Sequence, residues 1–400
     1  MGEIGIDQTR VTRNDHYDGF MRKSVHEMTA GRGNGGENVA CSEFHTGVTD
    51  SVSPELRREW SALWEKSPLG NVFNSVEWFE VFLETFRLKE FRIVTCRRQG
   101  VLCAVLPLVR GWSFGVPVMT AAGRRGNYVD RPPLLLESDD RDMIHATVRE
   151  AMRLGIVYLP EVHETSMGSL TATDSISMAS EPVCVNRQVE LSPELDTLRH
   201  MSSRQRRKIR SVSRSETAFS LRIFDESPDA GLEAVIEVEQ NSSKPRRHMA
   251  LFDKPETRRL FETVAKNAPR FLRIAAIYDG GRPVATSTGF VWKGVYAGYH
   301  SAFDESYRRF APGKALVYLL LEALKSEGYR KADFLRGDST LKKDFASDLY
   351  VQYDVLISDS ALVLRYWKTA FRIRNVLKKA VLVARHVENS IFNTIMRRHG

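Results

Sequence analysis

Residues that can grip an anion and move a proton gather between positions 239 and 342. The stretch Arg308-Arg309-Phe310-Ala311-Pro312-Gly313-Lys314-Ala315 follows a strand pattern and opens an apolar helix. Holding a diphosphate requires backbone N–H groups that converge at a helix start, where the helix dipole favours negative charge. Gly313 permits close approach, Lys314 and Ala315 complete the first turn, and Arg308 and Arg309 add charge. An ordinary strand-to-helix turn has the same composition. His300 is the residue whose ordinary pKa suits proton transfer near neutrality. A strand histidine that is merely hydrogen-bonded is the alternative. Asp338 follows a strand end and is either a proton acceptor or a helix N-cap. Glu239, near a helix end, is either an acceptor or part of a solvated face. Lys342 offers a cation for a developing oxyanion or a phosphate. Arg336 interrupts the apolar run Phe334-Leu335-Arg336-Gly337, and an isolated buried charge is costly. It must pair with an acid such as Asp333 or Asp338, or line a cleft. Tyr299 is either a packed aromatic or a substrate contact.

The surrounding pattern is mixed α/β. Order is expected from Ser53-Pro54-Glu55, where proline at a helix start precedes Leu56, Trp60, Leu63 and Trp64 on one face. A second helix covers 76–86. Strand signals follow at 91–96, 101–109, 116–121 and 133–136, then a helix over 139–153 and strands at 156–159 and 183–191. Residues 165–180, rich in Ser, Thr and Met, read as a loop. A helix near 193–214 opens the second unit. Its strands fall at 219–224, 271–278, 283–292, 295–303, 331–335 and 350–357, and its helices at 228–240, 255–267, 313–327 and 340–345. The turns Asp279-Gly280-Gly281 and Trp292-Lys293-Gly294 make hairpins of the three middle strands.

The element order and the Arg308–Gly313 loop resemble the GNAT acetyltransferase fold, whose pyrophosphate loop reads Arg/Gln-x-x-Gly-x-Gly/Ala. Ala311 stands where the first Gly is usual, and Pro312 removes one N–H donor. A narrower likeness rests on Trp60-x-x-Leu63, Phe73-Asn74-Ser75-x-x-Trp78, the strand at Pro107 and the basic segment 203–210. It continues with Tyr299-His300-Ser301-Ala302-Phe303-Asp304, Tyr307, Pro312-Gly313 and Asp333-Phe334-Leu335-Arg336-Gly337-Asp338-x-x-x-Lys342. Together these resemble the CelD/BcsL group of cellulose and exopolysaccharide biosynthesis, related to Fem-type aminoacyl transferases. The resemblance covers roughly 55–358. It implies two GNAT-like units in tandem, a degenerate one over 53–191 and an acyltransferase unit over 192–358. It also implies an acyl-coenzyme A donor, acetyl-CoA or another, and direct transfer to an amine or hydroxyl of a sugar, glycolipid or polysaccharide precursor. Lys342 stands where Fem-like enzymes have a lysine near the transferred carbonyl. A non-catalytic scaffold of a polysaccharide synthase and an aminoacyl-tRNA-dependent transferase are the alternatives.

Composition sets the bounds. Four cysteines without a CxxC pair fit a reducing compartment and suggest neither disulfides nor a zinc site, so no metal is expected. No secretory signal or spanning segment stands out, and a cytoplasmic location is expected. Residues 1–52 lack a sustained apolar period and read as disordered. The net charge of +8 is concentrated in 361–400, where nine Lys or Arg face the single acid Glu388. There Val363, Trp367, Ala370, Ile373, Leu377, Ala380, Ala384, Val387, Ile391 and Ile395 recur every three or four residues. That spacing predicts an amphipathic helix over 359–400. It either packs on the body or a partner, or contacts the inner face of an anionic membrane. Arg204, Arg206, Arg207, Lys208, Arg210 and Arg214 form a second basic run, suited to a coenzyme phosphate, a nucleotide sugar or tRNA. No DNA-binding pattern appears.

Overall fold

A computed structural model describes residues 44–124, 128–171, 176–213, 219–247 and 249–398. The expected disorder of 1–43, and with it Cys41, lies outside the described residues, as does Arg214. In chain order the first elements are β1 (Phe44–Thr49), α1 (Pro54–Lys66), α2 (Val76–Phe86), β2 (Phe91–Arg98), β3 (Val101–Ser113), β4 (Val116–Thr120) and β5 (Leu135–Leu136). They continue with α3 (Arg141–Met152), β6 (Val157–His163), α4 (Glu164–Thr171) and β7 (Met178–Glu190). Next come α5 (Ser203–Ser213), β8 (Phe219–Ile223), α6 (Pro228–Gln240), α7 (Pro255–Asn267), β9 (Leu272–Asp279), β10 (Arg282–Trp292) and β11 (Val295–Phe303). The last are α8 (Pro312–Ser326), β12 (Lys331–Arg336), α9 (Thr340–Phe345), β13 (Asp348–Ile357) and α10 (Ala361–Arg398).

Among the described residues, thirteen strands join one mixed sheet, ordered β1-β2-β3-β4-β6-β13-β7-β12-β11-β10-β9-β8, with β5 beside β3. Two parallel pairs, β4 with β6 and β11 with β12, sit at equivalent places in the two halves of the sheet. Between them the final strands cross over. β7 lies against β12, and β13 lies between β6 and β7. Each half of the chain therefore completes the sheet of the other.

Local chemistry accounts for the helix starts. The Ser53 hydroxyl accepts the Leu56 amide at 3.1 Å, and the Ser75 hydroxyl accepts that of Trp78 at 3.1 Å. The aromatic motif of the first 80 residues is a packing device. Trp60 Nε1 donates to the Asn74 carbonyl at 2.9 Å and Trp64 Nε1 to that of Asn71 at 2.7 Å. Phe73 and Trp78 meet Phe290 of β10 edge-to-face, with centroids 5.8 and 5.0 Å apart. Each such ring, fully buried, contributes about 1.5–3 kcal/mol, so this core binds the two halves together.

Several expected elements differ. Residues 44–49 are not disordered but form β1, an edge strand whose alternation is too short and too polar to stand out. Within the loop expected over 165–180, residues 165–171 belong to α4 and 178–180 to β7. The helix expected over 193–214 begins only at Ser203, after turns. The strand at 133–136 is reduced to two residues.

Candidate active site

β11 pairs with β12 only over Val295–Ala297 against Lys331–Asp333. Beyond that point β12 continues beside β7, with Arg336 opposite Asn186, and β11 continues beside β10 alone. A bulge falls at this divergence. Gly289 opposes Gly298 and Thr288 opposes His300, which leaves Tyr299 as the extra residue. Bulges re-aim side chains. Here Tyr299 and His300 both reach the aromatic groups of the α7 side, Tyr299 against Phe261 and His300 against Phe252, at 5.7 and 5.5 Å. Gly289 is required, since a Cβ there would fall 2.4 Å from the Tyr296 ring.

The bulge delivers His300 to a compact charged group. Its Nε2 lies 2.9 Å from Glu239 Oε1 at the end of α6. Glu239 also accepts the amides of Leu251 and Phe252 at 2.8 and 2.7 Å. Lys244 Nζ lies 3.2 Å from both ring nitrogens. Because the carboxylate can only accept, the network assigns the proton to Nε2 and leaves Nδ1 to accept from Lys244. Burial raises the Glu239 carboxyl, but the His300 hydrogen bond and charge and the two amides outweigh it, and the net shift is downward. Burial lowers His300 against the opposing pull of Glu239. Burial also lowers Lys244 to about 8, with Glu239 opposing. A lysine in this state holds a sizeable neutral fraction near neutral pH and can accept a proton. Sequence reasoning found Glu239 and His300 separately and missed Lys244. Its signal was present, because Lys244 closes the polar turn that follows Glu239.

The loop after β11 leads to α8. Ala311 adopts a left-handed conformation, φ 54°, at the N-cap, and its carbonyl accepts the Lys314 and Ala315 amides at 3.1 and 3.2 Å. Gly313 faces Phe303, whose Cδ1 would lie 3.4 Å from an added Cβ. Arg308 is exposed, 3.6 Å from Glu305, while Arg309 lies over the Phe310 ring. The Lys314 ammonium is held by Asp344 at 2.6 Å, and Ala315 is buried in the core. Arg207 is exposed on α5, which packs along α8.

The remaining candidates belong to a separate polar seam under the crossed strands. Arg336 pairs with neither Asp333 nor Asp338. It meets Asp130 at 2.9 Å, Glu161 at 2.5 Å and the Val129 carbonyl at 2.7 Å, all from the first half of the chain. Asp333 binds Arg131 and Tyr350. Lys342 Nζ donates to the Leu335 and Arg336 carbonyls at 3.1 and 2.5 Å, where β12 ends with Leu335 at φ 52°. Asp338 binds Arg187 and Lys343 with its two oxygens, which together overcome burial and lower its pKa. The helix N-cap is Ser339 rather than Asp338.

Residues 199–343 match the acetyltransferase (GNAT) domain family. The matched span lies in the second half of the chain. This span includes His300, Glu239, Lys244 and the loop that opens α8. Solved structures share the fold over most of the chain. The crystal structure of FemX has a TM-score of 0.57 at 10% identity, covering 75% of this chain and 95% of that one. A conserved protein of unknown function from Bacteroides thetaiotaomicron has a TM-score of 0.51 at 11% identity, covering 79% and 100%. No curated protein matches the sequence.

Proposed function

We propose that the protein is an acyl-coenzyme A-dependent acyltransferase, using acetyl-CoA or a close analogue, that acts on an amine or hydroxyl of a sugar, glycolipid or polysaccharide precursor. The observation that carries this reading is the Lys244–His300–Glu239 group on the stretch of β11 that has parted from β12, inside the span that matches the GNAT family. The finer CelD/BcsL assignment, and with it the polysaccharide acceptor, rests on the sequence motifs.

The residues fit such a donor. β11 beyond Ala297 is free of β12, and the α8 start with Gly313 follows it. The main-chain amide of Gly313 would meet the diphosphate, with Arg308 as the added charge, while the Lys314 and Ala315 amides are engaged by the Ala311 carbonyl. Pro312 and the two bonds to the Ala311 carbonyl make this a weaker cradle than one with every amide unengaged. A bound acyl-coenzyme A supplies the activated acyl carbon. This chain's own residues handle the proton. Neutral Lys244 would take it from the acceptor amine or hydroxyl and return it to the departing thiolate. His300 Nδ1 accepts from Lys244 and fixes its position, and Glu239 fixes the ring through Nε2. No covalent enzyme intermediate is needed.

Thermal unfolding tests the reading. Acetyl-CoA at about 100 times its Kd should stabilise the folded chain by about 2.7 kcal/mol, and Gly313→Trp should abolish the shift. Stabilisation by charged tRNA without any by acyl-coenzyme A would select the aminoacyl-transfer alternative, which the exposed Arg204, Arg207 and Lys208 of α5 favour. No shift with either would select the scaffold.

A further inference from the structure

The first turns of α10 use two opposite faces. One face docks on the body. Trp367 and Phe371 are fully buried, and Trp367 Nε1 donates to Ser113 Oγ at 2.8 Å. Phe114, at the tip of the β3–β4 hairpin, packs on both rings at 6.2 and 6.0 Å. This contact already satisfies the packing that an amphipathic helix needs.

The other face is apolar and, among the described residues, uncovered. Leu362, Tyr366, Ile373, Val376 and Leu377 recur at helical spacing and are 55–77% exposed. Phe114, Tyr366, Ala370, Ile373 and Leu377 border a shallow groove of about 850 Å³. The same hairpin leaves Trp112 74% exposed. Arg365, Lys368 and Lys378 are exposed on α10 as well.

Charge decides what covers this face. A second copy would bring together two helical segments that each carry nine cations and one acid, and like charges side by side repel. Among the described residues no helix is long and apolar enough to cross a membrane. An apolar stripe with basic residues on its other faces matches an anionic lipid surface, where the stripe enters the headgroup boundary and the cations meet phosphates. We propose that α10 docks the protein on an anionic lipid bilayer through Leu362, Tyr366, Ile373, Val376 and Leu377. The occupant is a lipid surface carrying net negative charge, and the site is independent of the proposed transferase chemistry.

The test is cosedimentation of the full chain with vesicles of phosphatidylcholine alone or mixed with phosphatidylglycerol. Binding is expected to the mixed vesicles and to weaken at least about tenfold in high salt. The double variant Ile373→Glu/Leu377→Glu should lose binding at least about tenfold with an unchanged melting temperature, since both side chains are exposed. Lys368→Glu/Lys378→Glu should weaken binding to the mixed vesicles by a similar factor and leaves the apolar face intact. Absence of binding by the wild-type chain overturns the proposal, as does binding that ignores both double variants. A wild-type dimer that Ile373→Glu/Leu377→Glu converts to monomer, without vesicle binding, would assign the face to a second copy instead.

Discussion

Two of the buried charged groups in this sheet are built to opposite ends. In the seam, Arg336 and Arg131 are each held by more than one fixed partner. Arg336 meets two carboxylates and a carbonyl, and Arg131 meets Asp333 and the Tyr350 hydroxyl. In the group on β11, one histidine stands between an acid and a lysine whose charge is only weakly held, with a pKa of about 8. A network whose cations are pinned by several partners resists change and fixes geometry. A network with one labile proton can do chemistry. The difference separates the residues that join the two halves of the chain from those that can act on a substrate, although both sets are polar and buried.

The largest expected effect is at the seam. Arg336→Leu removes the cation and leaves Asp130 and Glu161 buried without it. Burial raises Glu161 well above the usual carboxylate range, with Asp130 adding to the rise and Arg336 opposing it. Breaking a buried pair from one side costs about 3–5 kcal/mol, so chemical denaturation should show a loss of that size. An unchanged midpoint would mean that the seam does not hold the halves together.

Much of the frame was legible in sequence, and the reasons are local. The turns at Gly280-Gly281 and Lys293-Gly294 fixed the β9–β10–β11 hairpins, and prolines marked the starts of α1, α6, α7 and α8. The crossing of β7 and β13 was not legible, because strand partners far apart in sequence leave no periodic mark. Arg336 shows the same limit. Its need for an acid could be read from the apolar run around it, but its partners lie about two hundred positions away. Glu239 and His300 were visible as residue types, whereas the bulge at Tyr299 and the approach of Lys244 are facts of three-dimensional register.

The second effect tests the labile proton. Lys244→Met keeps the stem and removes the amine, so turnover should fall by about 10²-fold, within the usual range for a lost proton acceptor. The pH profile carries the sharper signature. The active form is the neutral amine, so the rate should climb as pH rises through about 8 and then level off. Lys244→Met should flatten that limb. Stability should follow the same direction, because the unfolded lysine keeps its proton up to about pH 10.4 and the folded one gives it up earlier. Stability therefore rises as pH increases between these two values. A wild-type profile without a rise near 8 would move the base elsewhere.

The smallest effect concerns a residue that sequence alone offers as a base. Asp338 sits between Arg187 and Lys343, and about a third of its side chain is exposed. Its two oxygens are spent on cations, and its pKa is lowered rather than raised, so it is a poor proton acceptor near neutral pH. Asp338→Asn should therefore cost no more than about 1 kcal/mol of stability, as partly exposed pairs do. Turnover should stay within about twofold, and the rise near pH 8 should remain. A large fall in turnover with the pH limb intact would mean that Asp338 positions α9 against the substrate. Loss of the limb itself would place the labile proton in the Arg187–Asp338–Lys343 group and reverse the contrast between the two charged sites.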